Sequence, residues 1–544
     1  MIKKTIFWAL IAILFSPLHT LQACTDIVVG KKASTDGSVI ISHTDSGDDS
    51  RLRVVHGQKF PEGAMANVYW GIQDVSLALD DYGEILGQIP QVRETYTYFH
   101  SAYSQMNEFQ LAIGESTTSM REELKFNRIE AQQIMTVEQA QIFALQRCKT
   151  AREAVELIAA LMEEYGFLPS CVGESETLSI GDPNEAWILE IFSVGGDWDP
   201  KSGKPGCVWA AQRVPDDHAL IIPNWSIIKE IHLDRPDEFM ASSNYKSFAI
   251  EKGYYDPESG RPFIWQEAYA PTLREWATSR FWLFYSTIAP NYRNWPDRKL
   301  TSPYDGMNPY IQYVEDIDIY PFSLKPEKKI SVQDVMAFQR STMPGTIYDQ
   351  TSDPDWYVPQ DSMMVKSPLT TPFPTKAMRQ LLDINHRRNV SRGGYGMIAQ
   401  LRSWLPDAVG GIYWFYTDNQ YVSAYVPIYA GTQEIAECYK IYNPDKYDEK
   451  SMRWAFDFVD NLCYLRWQDA IKDVREARDP VEARFFEEIE MVDNKYLKLE
   501  KKSANKANKY LTELTQSRML EIYQLYIDLK ATLITKYTNN KQGS

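Results

Sequence analysis

The sequence predicts an α+β fold in which antiparallel sheets and helices form layers, followed by a helical C-terminal lobe. Short apolar and β-branched runs separated by turn residues predict antiparallel strand pairs, and residues 25–32 and 38–42 form the first of them. Apolar residues at helical spacing follow the candidate N-caps Thr136 and Thr150. After about residue 444 the composition shifts to charged, amphipathic segments, which are typical of surface helices.

The predicted elements alternate between strands and helices along the chain. The second strand pair has Asn107 at its bend, where the residue type alone favours a turn. Residues 236–374 are rich in Pro, Tyr, Trp and Asp, so we interpret them as long loops interrupted by two helices. In chain order the predictions are strands at 25–32, 38–42, 95–103 and 111–114, helices after capping boxes of Thr136 with Gln139 and of Thr150 with Glu153, strands at 178–180, 186–194, 207–214 and 218–222, helices at 272–285 and 332–340, strands at 393–404 and 410–427, and helices at 452–500, with a break near Pro480, and at 504–536.

Composition excludes some classes of function. A chain of 544 residues is long enough to bury a large core, and a formal net charge of −16 argues against a nucleic-acid partner, which requires clustered positive charge. Neither a cluster of metal-ligand residues at a known spacing nor a Gly-rich phosphate loop is evident, so no metal and no cofactor is predicted.

The first 23 residues have the pattern of an export signal. Lys3 and Lys4 precede an apolar run at residues 6–15, and a short polar stretch then leads to Ala23. The apolar run is shorter than the roughly 20 residues that span a bilayer, and no later segment qualifies as a transmembrane helix. We therefore expect an exported, periplasmic or extracellular protein whose mature chain begins at Cys24.

Six cysteines are compatible with an oxidising compartment but do not define a disulfide framework. Setting Cys24 aside leaves an odd number, so at least one further thiol is expected to be free or partnered elsewhere. No two cysteines have the C-x-x-C spacing of a zinc ribbon or a redox motif. The pairing stays open.

A chain cut before Cys24 would begin with a residue that carries both a thiol and a free α-amine. Amide hydrolysis needs a nucleophile, a base and donors for the developing oxyanion. An α-amine has a reference pKa of roughly 7.7–8.0, so a useful fraction is neutral near pH 7 and can accept a proton. We therefore interpret Cys24 as a candidate nucleophile with its own α-amine as base. The 7 His of the chain fall in no obvious catalytic pattern.

Segments distributed over the chain resemble one family. Residues 24–38 (CTDIVVGKKASTDGS) closely resemble the start of the cysteine dipeptidase family of N-terminal-nucleophile (Ntn) hydrolases. Further matching segments follow in the expected order, at residues 107–108, 112–117, 185–190, 209–217, 222–224, 279–280, 344–349 and 400–406. The resemblance covers nearly the whole chain after residue 23, and the number of ordered motifs makes it specific.

The resemblance implies a four-layer αββα sandwich of antiparallel sheets and a peptidase that cleaves dipeptides or short peptides through an acyl-enzyme on Cys24. Its more distant relatives are the choloylglycine (bile-salt) hydrolases and penicillin V acylases. The expected organisation is a signal peptide at residues 1–23, a catalytic domain with long loop insertions at residues 24–443 and a helical C-terminal lobe at residues 444–544.

The same resemblance assigns roles to four further residues. Asp45 is expected to bind and orient the Cys24 amine, and Asn107 and Asn224 to place amide donors near the oxyanion. Arg280 matches an arginine that lies beside the thiol in bile-salt hydrolases, where its charge would favour the thiolate or hold a substrate carboxylate. Each residue also has an ordinary structural interpretation, as a turn residue, a capping residue or half of an ion pair.

Two departures from the family pattern concern the surroundings of the nucleophile. Many relatives carry Arg-Asn or Lys-Asn three and two residues before the aspartate, whereas this chain has Ser42 and His43 there. The expected positive charge is missing unless Arg280 or another cation replaces it. The bend after Asn107 has Phe109-Gln110, where a Gly is usual.

Two alternatives remain open from sequence. Residues 21–24 (LQAC) also resemble a lipobox, whose cysteine is lipidated and anchors a lipoprotein, although Gln22 is less usual there. A lipidated thiol cannot attack a substrate and an acylated amine cannot accept a proton, so the anchor and the enzyme exclude one another. Within enzymes, the alternative is an acylase acting on non-peptide amides. The preferred substrate side chain and the oligomeric state are not predicted.

Overall fold

Two antiparallel sheets form the framework of the protein in the computed structural model, which describes residues 24–47, 49–171, 173–272, 275–292, 320–346, 348–382 and 393–538. The predicted signal peptide therefore lies outside the described residues. The strands are β1 (Asp26–Val29), β2 (Val39–Asp45), β3 (Arg53–Val55), β4 (Met65–Trp70), β5 (Glu84–Pro90), β6 (Tyr98–His100), β7 (Ser104–Asn107), β8 (Ala112–Thr118), β9 (Ser175–Gly181), β10 (Ala186–Phe192), β11 (Val208–Val214), β12 (Ala219–Ile222), β13 (Phe239–Ala241), β14 (Tyr357–Gln360), β15 (Met363–Lys366), β16 (Tyr395–Leu401), β17 (Gly411–Thr417) and β18 (Val426–Tyr429).

The α-helices of the described residues fall into a pair in the first third, short segments in the middle and a C-terminal group. They are α1 (Val137–Arg147), α2 (Ala151–Tyr165), α3 (Ser247–Glu251), α4 (Trp265–Tyr269), α5 (Glu275–Ile288), α6 (Val332–Gln339), α7 (Lys376–Leu381), α8 (Asp407–Gly410), α9 (Met452–Cys463), α10 (Trp467–Glu487), α11 (Ile489–Glu500) and α12 (Ala504–Tyr537). None of these helices is both long enough and apolar enough to cross a membrane.

The six-stranded sheet has the order β12-β1-β2-β16-β17-β18, and the eight-stranded sheet has the order β13-β11-β10-β9-β8-β7-β6-β3. Within the first sheet, Ile27 of β1 lies opposite Ser42 of β2, and Asp45 lies opposite Tyr395 of β16. This register places the residues just before β1 beside the end of β2. The predicted hairpin of residues 25–32 and 38–42 is confirmed, with a longer connection than the sequence suggested.

The two sheets pack against each other where β1 and β2 meet β8 and β9. Two glycines permit the close approach. A Cβ on Gly114 would lie 2.5 Å from a carboxylate oxygen of Asp26, and one on Gly181 would lie 2.6 Å from the side chain of Ile41. Ser179 of β9 donates a hydrogen bond of 2.6 Å to Asp26 of β1 across the same interface. Polar groups are therefore sealed between the sheets.

Helices α1 and α2 pack on the eight-stranded sheet, and their N-termini follow the sequence only in part. Thr150 and Glu153 form the predicted capping box. Thr136 also caps its helix, but the predicted reciprocal bond from Gln139 is wrong. The Gln139 carbonyl oxygen instead accepts from the backbone of Tyr69, at 3.0 Å, because a distant strand competes for it.

The C-terminal helices form the predicted helical region, and α9 and α12 pack on β17 and β18. The predicted break near Pro480 is wrong, because α10 runs through Pro480 and ends at Glu487. A proline removes one helical hydrogen bond and usually kinks the helix. Tertiary contacts hold the helix on both sides of it, since Arg478 binds the Tyr421 carbonyl at 2.7 Å and Glu482 binds Arg340.

Other differences concern strand boundaries and the loop region. The predicted strand at 95–103 is shorter, as β6, and β7 follows it outside the predicted bounds. The predicted strand at 410–427 is divided into β17 and β18. The β4–β5 and β14–β15 hairpins form separate two-stranded sheets that the sequence did not predict. The predicted helices at 272–285 and 332–340 are confirmed as α5 and α6, although residues 273–274 lie outside the described residues.

We predict that Glu482→Gln lowers the free energy of unfolding by roughly 3 kcal/mol, because it leaves the buried Arg340 guanidinium without its charge partner. The two side chains form bonds of 2.6 and 2.8 Å, and the Tyr425 backbone donates to the same carboxylate. Burial acts to raise the Glu482 pKa, but Arg340 outweighs it and the pKa is lowered. The stabilisation is therefore present above about pH 4.3 and is lost as the pH falls.

Urea unfolding of wild type and variant at pH 7 and pH 4 measures this effect. Glu521→Gln is the matched control, since Glu521 binds Arg484 at the surface, where such pairs contribute little. Equal stabilities of wild type and Glu482→Gln at pH 7 would contradict the prediction.

Candidate active site

Cys24 is held at the start of β1 by the sheet itself. The neighbouring Thr25 exchanges backbone hydrogen bonds with Thr44 at 3.2 and 3.3 Å, so the ladder between β1 and β2 begins directly after Cys24. Cys24 is 6% exposed, and its Sγ lies 3.6 Å from Oδ1 of Asp45. The structure therefore brings the two residues together in a fixed and nearly closed position.

Asp45 is held by a turn and keeps one oxygen unpartnered. Its Oδ1 also accepts a hydrogen bond of 3.0 Å from the backbone of Gly47. Its Oδ2 is buried and accepts no hydrogen bond from any residue that the structure describes. A buried carboxylate oxygen without a donor is costly. This oxygen can accept a proton donor that approaches Cys24.

Arg280 of α5 ties the start of β1 to the loop after β12. Its guanidinium is buried, and its acceptors include the Cys24 carbonyl at 2.6 Å and the Thr25 hydroxyl at 2.7 Å. It also donates to the Pro223 carbonyl at 2.7 Å and to Oδ1 of Asn224 at 3.2 Å. Arg280 thus contacts the backbone of the candidate nucleophile and orients a second predicted site residue.

Asn224 is fixed from three sides. Its backbone has a positive φ of 61°, a conformation that Asn tolerates better than most residues, and its N–H donates to the Ser116 hydroxyl at 3.0 Å. Its Nδ2 donates one hydrogen to the Thr117 carbonyl at 3.0 Å, while Arg280 holds its Oδ1. The second amide hydrogen has no acceptor within the described segments and is available to a ligand.

Asn107 is placed differently from the other predicted site residues. Its Nδ2 donates both hydrogens to carbonyls at the end of α1, those of Leu145 and Cys148, each at 2.9 Å. Its Oδ1 accepts from the backbones of Phe109 and Leu111 at 3.0 and 3.1 Å. In this conformation Asn107 closes the bend between β7 and β8 and has no amide hydrogen left for an oxyanion.

The bend after Asn107 shows how the missing glycine is accommodated. Gln110 takes the left-handed backbone conformation there, with a φ of 64°. Its side chain accepts from the Arg402 backbone at 2.9 Å and donates to Asp407 at 2.9 Å. Contacts of the Gln110 side chain with the segment that follows β16 therefore accompany the strained backbone.

The positions that carry Arg-Asn or Lys-Asn in many relatives have other partners here. Ser42 accepts a hydrogen bond of 3.0 Å from the backbone of Ile27, inside the first sheet. His43 faces the second sheet, and its Nδ1 lies 3.0 Å from Oδ1 of Asp26. Burial by itself would lower the His43 pKa, but the Asp26 carboxylate raises it to about 9. His43 thus lies one strand away from Cys24 and is already paired with Asp26.

Negative charge surrounds the Cys24 thiol. Burial is the largest cause that raises its pKa well above the ordinary value, and the carboxylates of Asp45 and Glu115 raise it further. The thiol is therefore protonated at neutral pH in a chain whose residues 23 and 24 remain bonded. Nucleophilic chemistry at this position requires a base or a cation close to the sulfur.

Sequence reasoning missed a buried cluster beside β8 and β9. The ligand atoms of Glu115, Cys171 and Glu176 all lie within 4.8 Å of one another, which makes them the group that could hold a metal ion in the described residues. The Tyr103 hydroxyl lies 2.6 Å from the Cys171 sulfur. Glu115 belongs to a motif noted above, at residues 112–117, but Cys171 and Glu176 carry no sequence signal that would have joined them to it.

Comparison with known proteins gives the chain a family context. The family model of peptidase family C69 matches residues 23–479. A protein named dipeptidase from Bifidobacterium longum (strain NCC 2705) is 24% identical over 467 residues, which cover 81% of this chain and 77% of that protein. A probable dipeptidase from Latilactobacillus sakei is 23% identical over 450 residues, with 80% of each chain covered. A probable dipeptidase B from Streptococcus pyogenes serotype M1 is 22% identical over 555 residues, covering 100% of this chain and 99% of that protein.

We predict that Cys24 reacts slowly with iodoacetamide in a folded chain that retains the bond between residues 23 and 24. Because its pKa is raised, the rate should keep rising with pH up to pH 10, whereas an ordinary thiol levels off above about pH 8.5. Mass spectrometry of the Cys24 peptide after timed labelling measures the rate. The same peptide in urea-unfolded chain is the control, and a plateau at the same pH in both states would refute the expectation.

Proposed function

This chain belongs to peptidase family C69, and we propose that it is a dipeptidase whose nucleophile is the thiol of Cys24. The observation that carries the proposal is the position of that thiol, 3.6 Å from the Asp45 carboxylate at the start of a central strand. The family match supports it, since it begins one residue before Cys24. Relatives named dipeptidase align with most of the chain and support dipeptides or short peptides as substrates.

Removal of residues 1–23, during export to the periplasm or beyond, is the proposed activating step. It would turn the Cys24 amide nitrogen into an α-amine next to the thiol. Oδ2 of Asp45 is the buried acceptor available to that amine among the described residues. Once the neutral amine has taken the thiol proton, the resulting ammonium would also offset the negative charge that disfavours the thiolate. The same cut thus supplies the base and a local cation.

In the proposed reaction, the neutral α-amine takes the thiol proton and the thiolate attacks the carbonyl carbon of the peptide bond. The carbonyl oxygen gains the negative charge, and the free amide hydrogen of Asn224 is its proposed donor, since Arg280 contacts both Asn224 and the Cys24 carbonyl. The tetrahedral intermediate collapses as the α-ammonium returns its proton to the departing amine. The first residue of the dipeptide remains bound to Cys24 as a thioester.

Hydrolysis of the thioester repeats the sequence with water as nucleophile. The α-amine takes a proton from the water, and the thiol leaves as the carboxylic acid product forms. Arg280 has a positioning role in this scheme. It holds the Cys24 carbonyl and Oδ1 of Asn224, so it keeps the nucleophile and the oxyanion donor at a constant separation. The reaction requires no external cofactor.

We further propose that the fold is the four-layer αββα sandwich of Ntn hydrolases. The packing of the two sheets through β1, β2, β8 and β9 supports this assignment, as do the helices packed on each sheet. The catalytic domain would extend over residues 24–443 and the helical lobe over residues 444–544. The substrate side chains that the enzyme prefers are to be found by measuring hydrolysis of a panel of dipeptides.

We predict that Cys24→Ala abolishes dipeptide hydrolysis and that Cys24→Ser retains at most a trace, because a hydroxyl is a far weaker acid than a thiol. Intact-mass measurement of the purified protein should show a chain that begins at Cys24 with an unmodified amine. A diacylglycerol mass on Cys24, or undiminished hydrolysis by Cys24→Ala, would overturn the mechanism. A panel of dipeptides beside bile-salt conjugates and penicillin V separates a dipeptidase from an acylase.

We predict that Asn224→Ala lowers kcat by about 100- to 1,000-fold, the usual effect of losing one oxyanion donor. Asn107→Ala is the matched comparison, because it removes the same side chain from a bend where both amide hydrogens are already donated. It should lower thermal stability, with a much smaller change in kcat for the folded fraction. Steady-state kinetics with thermal unfolding of both variants decide the matter, and an equal kcat loss would restore Asn107 as a donor.

A further inference from the structure

We propose that Glu115, Cys171 and Glu176 bind a divalent metal ion, and that zinc is the ion this ligand set suits. The three residues come from two adjacent strands and the segment before β9, and Glu115 lies far from the other two in the sequence. The site is distinct from the proposed reaction at Cys24, which requires no metal. The inference rests on the geometry of the cluster and on its unpartnered oxygens.

Strand register brings the two carboxylates together. Glu115 of β8 pairs with Leu178 of β9, two residues from Glu176, so the two glutamates lie diagonally on one face of the sheet. Gly114 and Ser179 face the first sheet from the other side, so the glutamates lie on the face that is turned away from it. Cys171 lies four residues before β9. Its sulfur completes a triangle in which no two ligand atoms are more than 4.8 Å apart.

The triangle is close to the dimensions of a metal site. An ion at the centre of an equilateral triangle of this maximum size would lie less than about 3 Å from each corner. Zinc binds thiolate sulfur at about 2.3 Å and carboxylate oxygen at about 2.0–2.2 Å. Small side-chain rotations would therefore bring all three atoms to bonding distance. Backbone movement is not required.

The oxygens of the cluster lack hydrogen-bond donors. Glu115 and Glu176 are fully buried, and neither oxygen of Glu176 has a partner in the described part of the chain. Oε2 of Glu115 is also unpartnered there, while Oε1 accepts from Thr117 at 3.2 Å. Buried polar groups are nearly always satisfied, because an unpaired one costs about 1–3 kcal/mol and a charged one more. A metal ion would bind one oxygen of each glutamate and would offset the charge of both carboxylates.

The ligand types favour zinc over the alkaline-earth ions. Calcium and magnesium prefer oxygen ligands alone, whereas zinc takes sulfur together with oxygen. Three protein ligands leave a fourth position of a tetrahedral site for water or for Tyr103. The Tyr103 hydroxyl, 2.6 Å from the Cys171 sulfur, is also placed to donate a hydrogen bond to a metal-bound thiolate.

The competing arrangement is a pair of glutamates that share a proton. Without a cation, burial raises the Glu115 pKa to about 7 and the Glu176 pKa well above its ordinary value, so the pair would hold at least one proton between them near neutrality. A shared proton needs neither Cys171 nor any ion. The two arrangements therefore differ in metal content and in the part played by the sulfur.

Metal content of the purified full-length protein tests the proposal. After removal of metal with a chelator and addition of excess zinc, gel filtration followed by elemental analysis should recover one zinc per chain. Glu176→Gln and Cys171→Ser should each lower zinc affinity by on the order of 100-fold. The matched control is Glu190→Gln, a buried glutamate held by Ser226 and Trp265 away from the triangle, which should retain wild-type zinc.

Cobalt substitution examines the ligand directly. Co²⁺ added to the metal-free protein should give a thiolate-to-metal charge-transfer absorption that is absent in Cys171→Ser. Circular dichroism verifies that each variant is folded, and if Glu176→Gln does not fold, Cys171→Ser decides alone. If folded wild type retains no zinc, or if both variants retain as much zinc as wild type, the proposed site is wrong. The glutamate pair that shares a proton would then be the remaining arrangement. Neither result bears on dipeptide hydrolysis, which the Cys24 variants test separately.

Discussion

The close contact between the two sheets at Gly114 and Gly181 is the constraint on which the site depends. Because these residues have no side chains, β1 and β2 lie near enough to β8 and β9 for Asp26 to bind Ser179 directly. Cys24, Asp45 and His43, which belong to or flank these strands, are buried. Charges in such an environment interact more strongly than at a surface, and unpaired ones are costly. The hydrogen bond between Ser179 and Asp26 is thus part of how the sheets hold together.

This chain differs from the pattern of its relatives at Ser42 and His43, and the buried interface between the sheets accommodates both residues. Ser42 carries no charge, and His43 is paired with Asp26 and is not directed to the sulfur. Arg280 binds the carbonyl of Cys24 and the Asn224 side chain. Positive charge is therefore present in the neighbourhood but is used to hold backbone and side chains in place. In the proposed function, the base at the sulfur is therefore the α-amine that cleavage before Cys24 would form.

Sequence reasoning succeeded where local pattern decides the structure. The first strand pair and the capping box at Thr150 depend on neighbouring residues, and the structure has both. It failed where distant contacts compete with the local pattern. The Gln139 side chain of α1 binds the backbone of Tyr69 in β4, and tertiary contacts hold the helix that contains Pro480. The family motifs indicated Cys24, Asp45, Asn224 and Arg280, and hydrogen bonds in the structure connect these four residues. Motifs could not show that the Asn107 amide is bound at the end of α1, nor that strand register brings Glu115 to Glu176, because both facts depend on segments distant in the sequence.

The hydrogen bond from Arg280 to the Cys24 carbonyl would restrict the motion of a chain that begins at Cys24. The ends of polypeptides usually fray, and a nucleophile on the first residue would share that motion. Here the terminal residue would be held by two sets of hydrogen bonds. The buried Arg280 guanidinium binds its carbonyl, and backbone hydrogen bonds between Thr25 and Thr44 fix the next residue. The chain end would then be as immobile as the middle of a strand. A terminus fixed in this way would already be ordered before substrate binds, so substrate binding would not have to order it.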